Sequence, residues 1–223
     1  MEHSQPSRIS KGLNDIMMEV ELRGLLDKNE CDKLTSFLEN NGKKIGESLR
    51  LLIDYTPFKE DKDLDVRLRI TGENAEIMIK KGRYLSSARK EIQLRISKRD
   101  IPNAIEVLGA LGYTKGIVAI RKIYKYVYEE IEFAVSDIAK VNDDLSIMPS
   151  QAFFFEAEIM ADEEEVGNAK KEISHLLNKL GLNEIDDEKF RDYVLNEVNK
   201  KFNLVFDSSI DKNIIGKITI FPD

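Results

Sequence analysis

From residue 17 to about residue 160 the chain keeps returning to one pattern, charged or polar positions alternating with apolar ones. Met18-Glu19-Val20-Glu21-Leu22-Arg23 sets two glutamates and an arginine against Val20 and Leu22. Phe155-Glu156-Ala157-Glu158-Ile159 repeats the design. Asp65, Arg67 and Arg69 alternate with Val66, Leu68 and Ile70; Glu76, Met78 and Lys80 with Ile77 and Ile79; Arg89, Glu91, Gln93 and Arg95 with Lys90, Ile92, Leu94 and Ile96. Successive side chains of a β-strand point to opposite faces. The pattern therefore predicts strands at 17–24, 47–55, 65–70, 75–81, 88–97, 117–128, 130–137 and 152–160, at least five of them with one charged and one apolar face.

Between the strands the period changes to that of a helix. Asp27, with Glu30 three residues on, forms a capping box for a helix that Gly42 ends. Asp100 and Pro102 open a second helix, carrying Ile101, Ile105, Leu108 and Leu111 and closed by Gly112. The acidic turn Asp162–Glu165 starts a third, with Ile173, Leu176, Leu177 and Leu180 on one side and Gly181 as its stop. Residues 187–202 read as helical through Phe190, Val194 and Val198, and 203–207 and 215–220 as short strands. No internal repeat or linker divides the chain. The expectation is a polar leader at 1–16, a main unit at 17–180, and a segment 181–223 completing the same α+β domain.

Composition narrows the chemistry. The net charge is −7 and no long basic run occurs, which disfavours nucleic-acid binding. No apolar stretch approaches the ~18 residues of a membrane helix and no signal-type apolar segment opens the chain, so no membrane association is expected and the cytoplasm is the default location. Cys31 is the single cysteine, and of two histidines His175 lies among the leucines of the third helix, where a structural role is favoured. Zinc sites of Cys/His type and Ser-His or Cys-His nucleophiles are poorly supported. Glycine-rich phosphate loops are missing too. Phosphate, if handled, is handled by side chains.

Spacing alone proves little: with 41 acidic residues in 223, chance supplies about seven acidic-x-acidic pairs. Some of Asp61, Asp63 and Asp65 belong to such solvated faces. An open sheet with its charged face in water would also explain the alternation. Yet these faces favour Arg and Glu at central strand positions. Closing about eight antiparallel strands into a barrel places that charge inside a tunnel and the apolar faces under helices. Carboxylates two residues apart on a strand, roughly 7 Å, repel by about 2 kcal/mol at an effective dielectric near 20. A hard divalent cation, Mg²⁺ or Mn²⁺, reverses that sign, and arginine forks suit the phosphates it would bring.

Glu19-Val20-Glu21-Leu22-Arg23 resembles the Glu-x-Glu-x-Lys signature of the CYTH superfamily, the triphosphate tunnel metalloenzymes. Arg67-Leu68-Arg69, Lys80, Arg89-x-Glu91, Leu108-Gly109-Ala110-Leu111-Gly112-Tyr113, Arg121-x-x-Tyr124, Asp137 and Phe155-Glu156-Ala157-Glu158 follow in that family's order. The resemblance implies an eight-stranded tunnel that takes a triphosphate-containing small molecule end-on with Mg²⁺ or Mn²⁺. It implies metal contacts from Glu19, Glu21, Asp137, Glu156 and Glu158, phosphate contacts from Arg67, Arg69, Lys80, Arg89 and Arg121, and catalytic roles at Arg23, Lys80 and Glu91. The implied reaction is hydrolysis of inorganic, thiamine or nucleoside triphosphate. Adenylate cyclisation and non-catalytic binding of polyphosphate or nucleotide are the alternatives, and a homodimer is left open. Arg23 departs from the usual lysine, and Ala119 stands where a second lysine is common. The segment Ala139–Gln151 is longer than the family's usual connection before the last glutamate pair.

Overall fold

The computed structural model describes residues 17–219 and Phe221; the polar leader expected at 1–16 lies outside them. Eight strands follow the alternation. They are β1 (Met17–Leu26), β2 (Lys43–Asp54), β3 (Leu64–Thr71), β4 (Asn74–Lys81), β5 (Ala88–Ser97), β6 (Lys115–Tyr128), β7 (Ile131–Val141) and β8 (Ile147–Asp162). Every pairing is antiparallel, in the order β2-β3-β4-β5-β1-β8-β7-β6, and β6 pairs back onto β2. The sheet thus closes into a ring of eight, as the alternation predicts, and a ninth strand, β9 (Leu204–Asp207), extends it along β6 beyond the end of β7. The tightest constraint on register is β1 against β8, paired from Met17↔Asp162 to Leu26↔Phe153. The weakest seam is β1 against β5, which registers only Glu19↔Arg89 and Val20↔Ala88.

The apolar faces turn outward under helices, as the barrel reading expects. Helices α1 (Lys28–Asn41) and α3 (Val166–Lys179) cover Val20, Phe133, Val135 and Phe155 with Leu34, Leu38, Ile173 and Leu177. Helix α2 (Ile101–Ala110) packs Ile101, Ile105 and Leu108 on Leu51, Ile53, Val66, Leu68 and Ile70. The α1 capping box is formed: the Glu30 N–H donates to Asp27 at 2.7 Å and the Asp27 N–H to Glu30 at 2.8 Å. At Gly24 the backbone of β1 runs so close to its neighbours that a Cβ would sit 2.2 Å from the Phe155 ring and 2.3 Å from the Asn183 carbonyl oxygen.

The C-terminal segment joins the same body. Helix α4 (Asp187–Tyr193) continues through a π-helical stretch, Val194–Val198, into the single turn α5 (Asn199–Lys201). Its Phe190, Val194 and Val198 cluster with Tyr84, Leu85, Ile138, Ala152 and Phe154 at the end of the ring where β4 hands over to β5. Of residues 215–220, expected as a strand, those described, 215–219, belong instead to helix α6 (Lys212–Thr219), and residue 220 lies outside the described residues. The β-branched isoleucines suggest a strand, but Ile214, Ile215 and Ile218, one helical turn apart, pack together on the α2 core, and burial decides. The apparent long connection 139–151 is mostly strand, with only Asn142–Ser146 between β7 and β8. His175 is exposed on α3 rather than packed in the core. No helix among the described residues is long and apolar enough to cross a membrane.

Candidate active site

The charged strand faces converge on one cavity of about 530 Å³ inside the ring. Every expected residue but Asp137 arrives by strand alternation: Glu19, Glu21 and Arg23 from β1, Arg67 and Arg69 from β3, Lys80 from β4, Arg89 and Glu91 from β5, Arg121 from β6, Glu156 and Glu158 from β8. Lys80 faces in and is buried while Lys81 faces out and is exposed, as the alternation with Ile77 and Ile79 requires. Asp137 does not join them. It alternates with Ser136 and Ile138 on β7 and shares the outer face with Phe133 and Val135 under α1, so the structure gives it no place among the cavity's ligands.

Inside this cavity, carboxylate oxygens of Glu19, Glu21 and Glu158 lie within 4.8 Å of one another. Burial and the adjacent Glu19 carboxylate push Glu158 up to about 8, as desolvation and a neighbouring like charge both disfavour its ionised form. Lys80 Nζ lies between Glu19, at 2.5–2.7 Å, and Glu91, at 3.0 Å. Burial opposes ionisation of Glu91, but the Lys80 charge and hydrogen bonds with Glu19, Gln93 and Lys80 outweigh it and hold the group at about 2. Three convergent hard oxygen donors beside a held lysine fit Mg²⁺ or Mn²⁺, which take carboxylates and keep sites for water and phosphate.

Two cations stand under-compensated. Arg50, missed by the sequence reading, sits directly opposite Arg121 across the β2–β6 pairing. Like charges directly opposite are destabilising, and among the described residues neither arginine has a carboxylate in ion-pair reach. Arg50 donates to Thr71 Oγ1 at 3.3 Å; Arg121 lies 5.1 Å over the Phe154 ring and leaves its buried Nε without a partner. Burial, then the Arg69 charge, lowers Arg50 to about 10, and burial lowers Arg121 as well. An orphaned guanidinium facing another guanidinium in one cavity has the chemistry to accept an anion. Arg69, bonded to Glu76, flanks Arg50.

The rest of the charge is internally paired. Arg89, only 2% exposed, bridges Asp65 at 2.6 Å and Glu21 at 2.9 Å. Arg67 grips Asp65 through two bonds at 2.6–2.7 Å and approaches Asp54 at 3.7 Å. Asp65 is held low against its burial by these two arginines, whereas burial raises Asp54, which accepts from Tyr84 at 2.7 Å. The sequence reading left Asp54 and Asp65 without a role; Asp61 and Asp63 are the exposed members of that acidic run. Glu156 stays low because Arg23 and Arg121 outweigh burial.

Arg23 sits at the closed end. Its guanidinium bonds Glu21, donates to the Leu85 carbonyl at 2.9 Å, lies 3.4 Å from Glu156 and 3.7 Å from Asp187, and covers the Phe190 ring at 5.1 Å. Phe190 and Val194 from the C-terminal helix, with Tyr84 and Leu85, line that end of the cavity. A plain amphipathic stretch at 187–202 carried no signal that it would do so.

Comparison with solved structures shows the same fold in distant proteins. A protein of Pyrococcus horikoshii OT3 (PH1819) is 18% identical with a TM-score of 0.58, over 80% of this chain and 99% of its own. A Vibrio parahaemolyticus protein provisionally named an adenylate cyclase is 16% identical, TM-score 0.53, over 76% and 93%. HpAC1 from Hippeastrum, provisionally named an adenylyl cyclase and described as having a dominant triphosphatase activity, is 14% identical, TM-score 0.50, over 82% and 97%. No curated protein matches the chain in sequence. The family model for the CYTH domain matches residues 17–190, the span that contributes every strand of the ring and every inward charge described above, and the chain belongs to that family.

Proposed function

We propose that the protein is a divalent-metal-dependent triphosphatase that takes the triphosphate end of a small molecule through the open mouth of the ring. One observation carries the reading: the Glu19, Glu21 and Glu158 oxygens converge in the same cavity as the facing, uncompensated pair Arg50 and Arg121. A triphosphate with its metal supplies the cation that the first group lacks and the anion that the second lacks.

In this reading Glu19, Glu21 and Glu158 hold Mg²⁺ or Mn²⁺, with Glu156 beside them. When bound, the ion neutralises phosphate charge and lowers the pKa of a coordinated water. Arg50, Arg67, Arg69, Arg89 and Arg121 bind phosphate oxygens and stabilise the charge on the transferring phosphoryl group. Lys80, fixed between Glu19 and Glu91, presents its ammonium to the same oxygens. Glu91, ionised down to about 2, accepts a hydrogen bond from the attacking water. That water's oxygen bonds to the terminal phosphorus as the anhydride P–O bond breaks, its protons pass to phosphate oxygens and solvent, and inorganic phosphate and the shortened chain leave as the two products. Arg23 positions Glu21 and Glu156 and has no free face for substrate.

A colorimetric phosphate assay with tripolyphosphate, thiamine triphosphate and ATP, each with and without Mg²⁺ or Mn²⁺, tests it. Metal-dependent phosphate release that Glu158→Gln abolishes is expected. Cyclic AMP with pyrophosphate would replace the hydrolase by a cyclase, and tight calorimetric binding without turnover would replace it by a binding protein.

A further inference from the structure

The ring has one incomplete seam. Beyond Arg89, β5 runs eight more residues to Ser97 with no registered partner on its β1 side among the described residues, while β4 pairs it throughout. The Glu21 N–H donates to the Ser87 carbonyl at 2.8 Å, so odd-numbered residues of β5 turn their backbone groups toward that side. Glu91, Gln93 and Arg95 therefore present N–H and C=O along a free edge. Ile92 to Leu94 are exposed on both faces of the strand, with Ile92 at 42% and Leu94 at 61% on its outer face. An open edge with exposed apolar side chains is a template for another strand.

We infer that the β5 edge is a homodimer interface, in which two copies pair their β5 strands antiparallel about a two-fold axis at Gln93. Of the registers centred on a residue whose backbone faces the edge, the sequence favours this one. Centring on Glu91 sets Glu against Glu, and centring on Arg95 sets Arg against Arg; like charges directly opposite repel. Centring on Gln93 sets Glu91 against Arg95 and Ile92 against Leu94, each twice. Charges that would block a foreign strand are self-complementary here, which is what an isologous two-fold contact requires. The outer face of the joined strands becomes one continuous patch of Ile92, Leu94 and Ile96 from both copies.

Sedimentation velocity across the micromolar range tests the inference on the full chain. A species of twice the 25.6 kDa chain mass is expected. Arg95→Pro removes an N–H that points only to the free edge and leaves the β4 ladder intact. It is expected to weaken the dimer at least tenfold while melting temperature and circular dichroism stay at wild-type values. Leu94→Lys, which breaks no backbone bond, gives the same loss and stands in if the proline variant does not fold. For the register, Ile92→Cys with Leu94→Cys forms a cross-protomer disulfide under mild oxidation, whereas Lys90→Cys with Leu94→Cys does not; Cys31 is buried and takes no part. A monomer at every concentration, a dimer indifferent to both edge variants, or cross-linking of the 90/94 pair in place of 92/94 overturns the inference.

Discussion

Replacing Glu158 by glutamine separates the carboxylate cluster's cost to the fold from its use in binding, because the two effects have opposite signs. Carboxylate oxygens within 4.8 Å of one another repel by at least about 3.5 kcal/mol when both are ionised at an effective dielectric of 20. The same conflict carries Glu158 from 4.5 to about 8 through burial and Glu19. A carboxyl held higher in the folded state than in the unfolded one keeps its proton in the fold, so stability falls as pH rises between about 4.5 and 8. The full shift corresponds to roughly 5 kcal/mol. Glu158 borders an open cavity, where solvent screens the charge, and about 2 kcal/mol is the magnitude to expect. Thermal melts in chelator at pH 4.5 and pH 8.5 should show the wild type losing roughly 4–8 °C more than Glu158→Gln over that interval. Adding Mg²⁺ or Mn²⁺ should restore the wild type at pH 8.5 and leave the variant unmoved. A variant no more resistant to alkaline pH than the wild type, or one stabilised equally by metal, would refute the assignment of Glu158 to a cation site.

The other side of the cavity makes its own predictions. Arg121→Met removes a buried, partly orphaned cation, so steady-state kinetics with tripolyphosphate should show kcat/KM lowered about 100-fold, equivalent to about 2.7 kcal/mol, while urea denaturation shifts by less than about 1 kcal/mol. Phe190→Ala empties a fully packed position against Phe154 and Arg23 and should cost about 3–5 kcal/mol in the same denaturation assay. Gly24→Ala forces a Cβ into the Phe155 ring and the Asn183 carbonyl, and its melting temperature should fall well below that of Gly167→Ala, where a Cβ meets nothing within 4 Å.

The parts of this fold that could be read from the chain are those in which one strand carries its own pattern. β5 was read to the residue because Arg89, Glu91, Gln93 and Arg95 alternate without interruption, and β1, β3 and β4 were read within two residues for the same reason, while β8 was found but its first five residues were taken for a connection. β2 hid its contribution. Its Leu51-Leu52-Ile53 run breaks the alternation, so Arg50 and Asp54, two residues either side of Leu52, did not register as members of one inward face. Asp137 failed in the reverse direction: its place in the motif order pointed to the site, yet one residue of phase on β7 puts it outside. The α6 helix was misread because isoleucine density favours strands locally, while its fate was decided by a hydrophobic surface contributed by β2, β3 and α2, far away in sequence.

The substitution of arginine for lysine at position 23 and the use of residues 181–201 explain one another. Read along the chain, Arg23 is a motif with its base-like residue lost, and the C-terminal helix is an appendage. In the fold they meet. The Arg23 carbonyl accepts the Ile185 N–H at 2.8 Å, its Nη1 reaches Leu85 at 2.9 Å and Asp187 at 3.7 Å, and its guanidinium plane lies on Phe190. Asp187 in turn accepts the Ser87 N–H at 2.9 Å, at the entry to β5. A lysine offers one compact charge and no plane; it could satisfy Glu21 or Glu156 but could not also stack on the aromatic ring and reach the loop before β5. The planar fork lets a single side chain hold the helix that closes the cavity and the carboxylates that line it. On the proposed triphosphatase reading, closing that end leaves the side lined by Glu19 and Glu158 as the route for substrate, so the residue that departs most from the motif would also be the one that fixes the direction of entry.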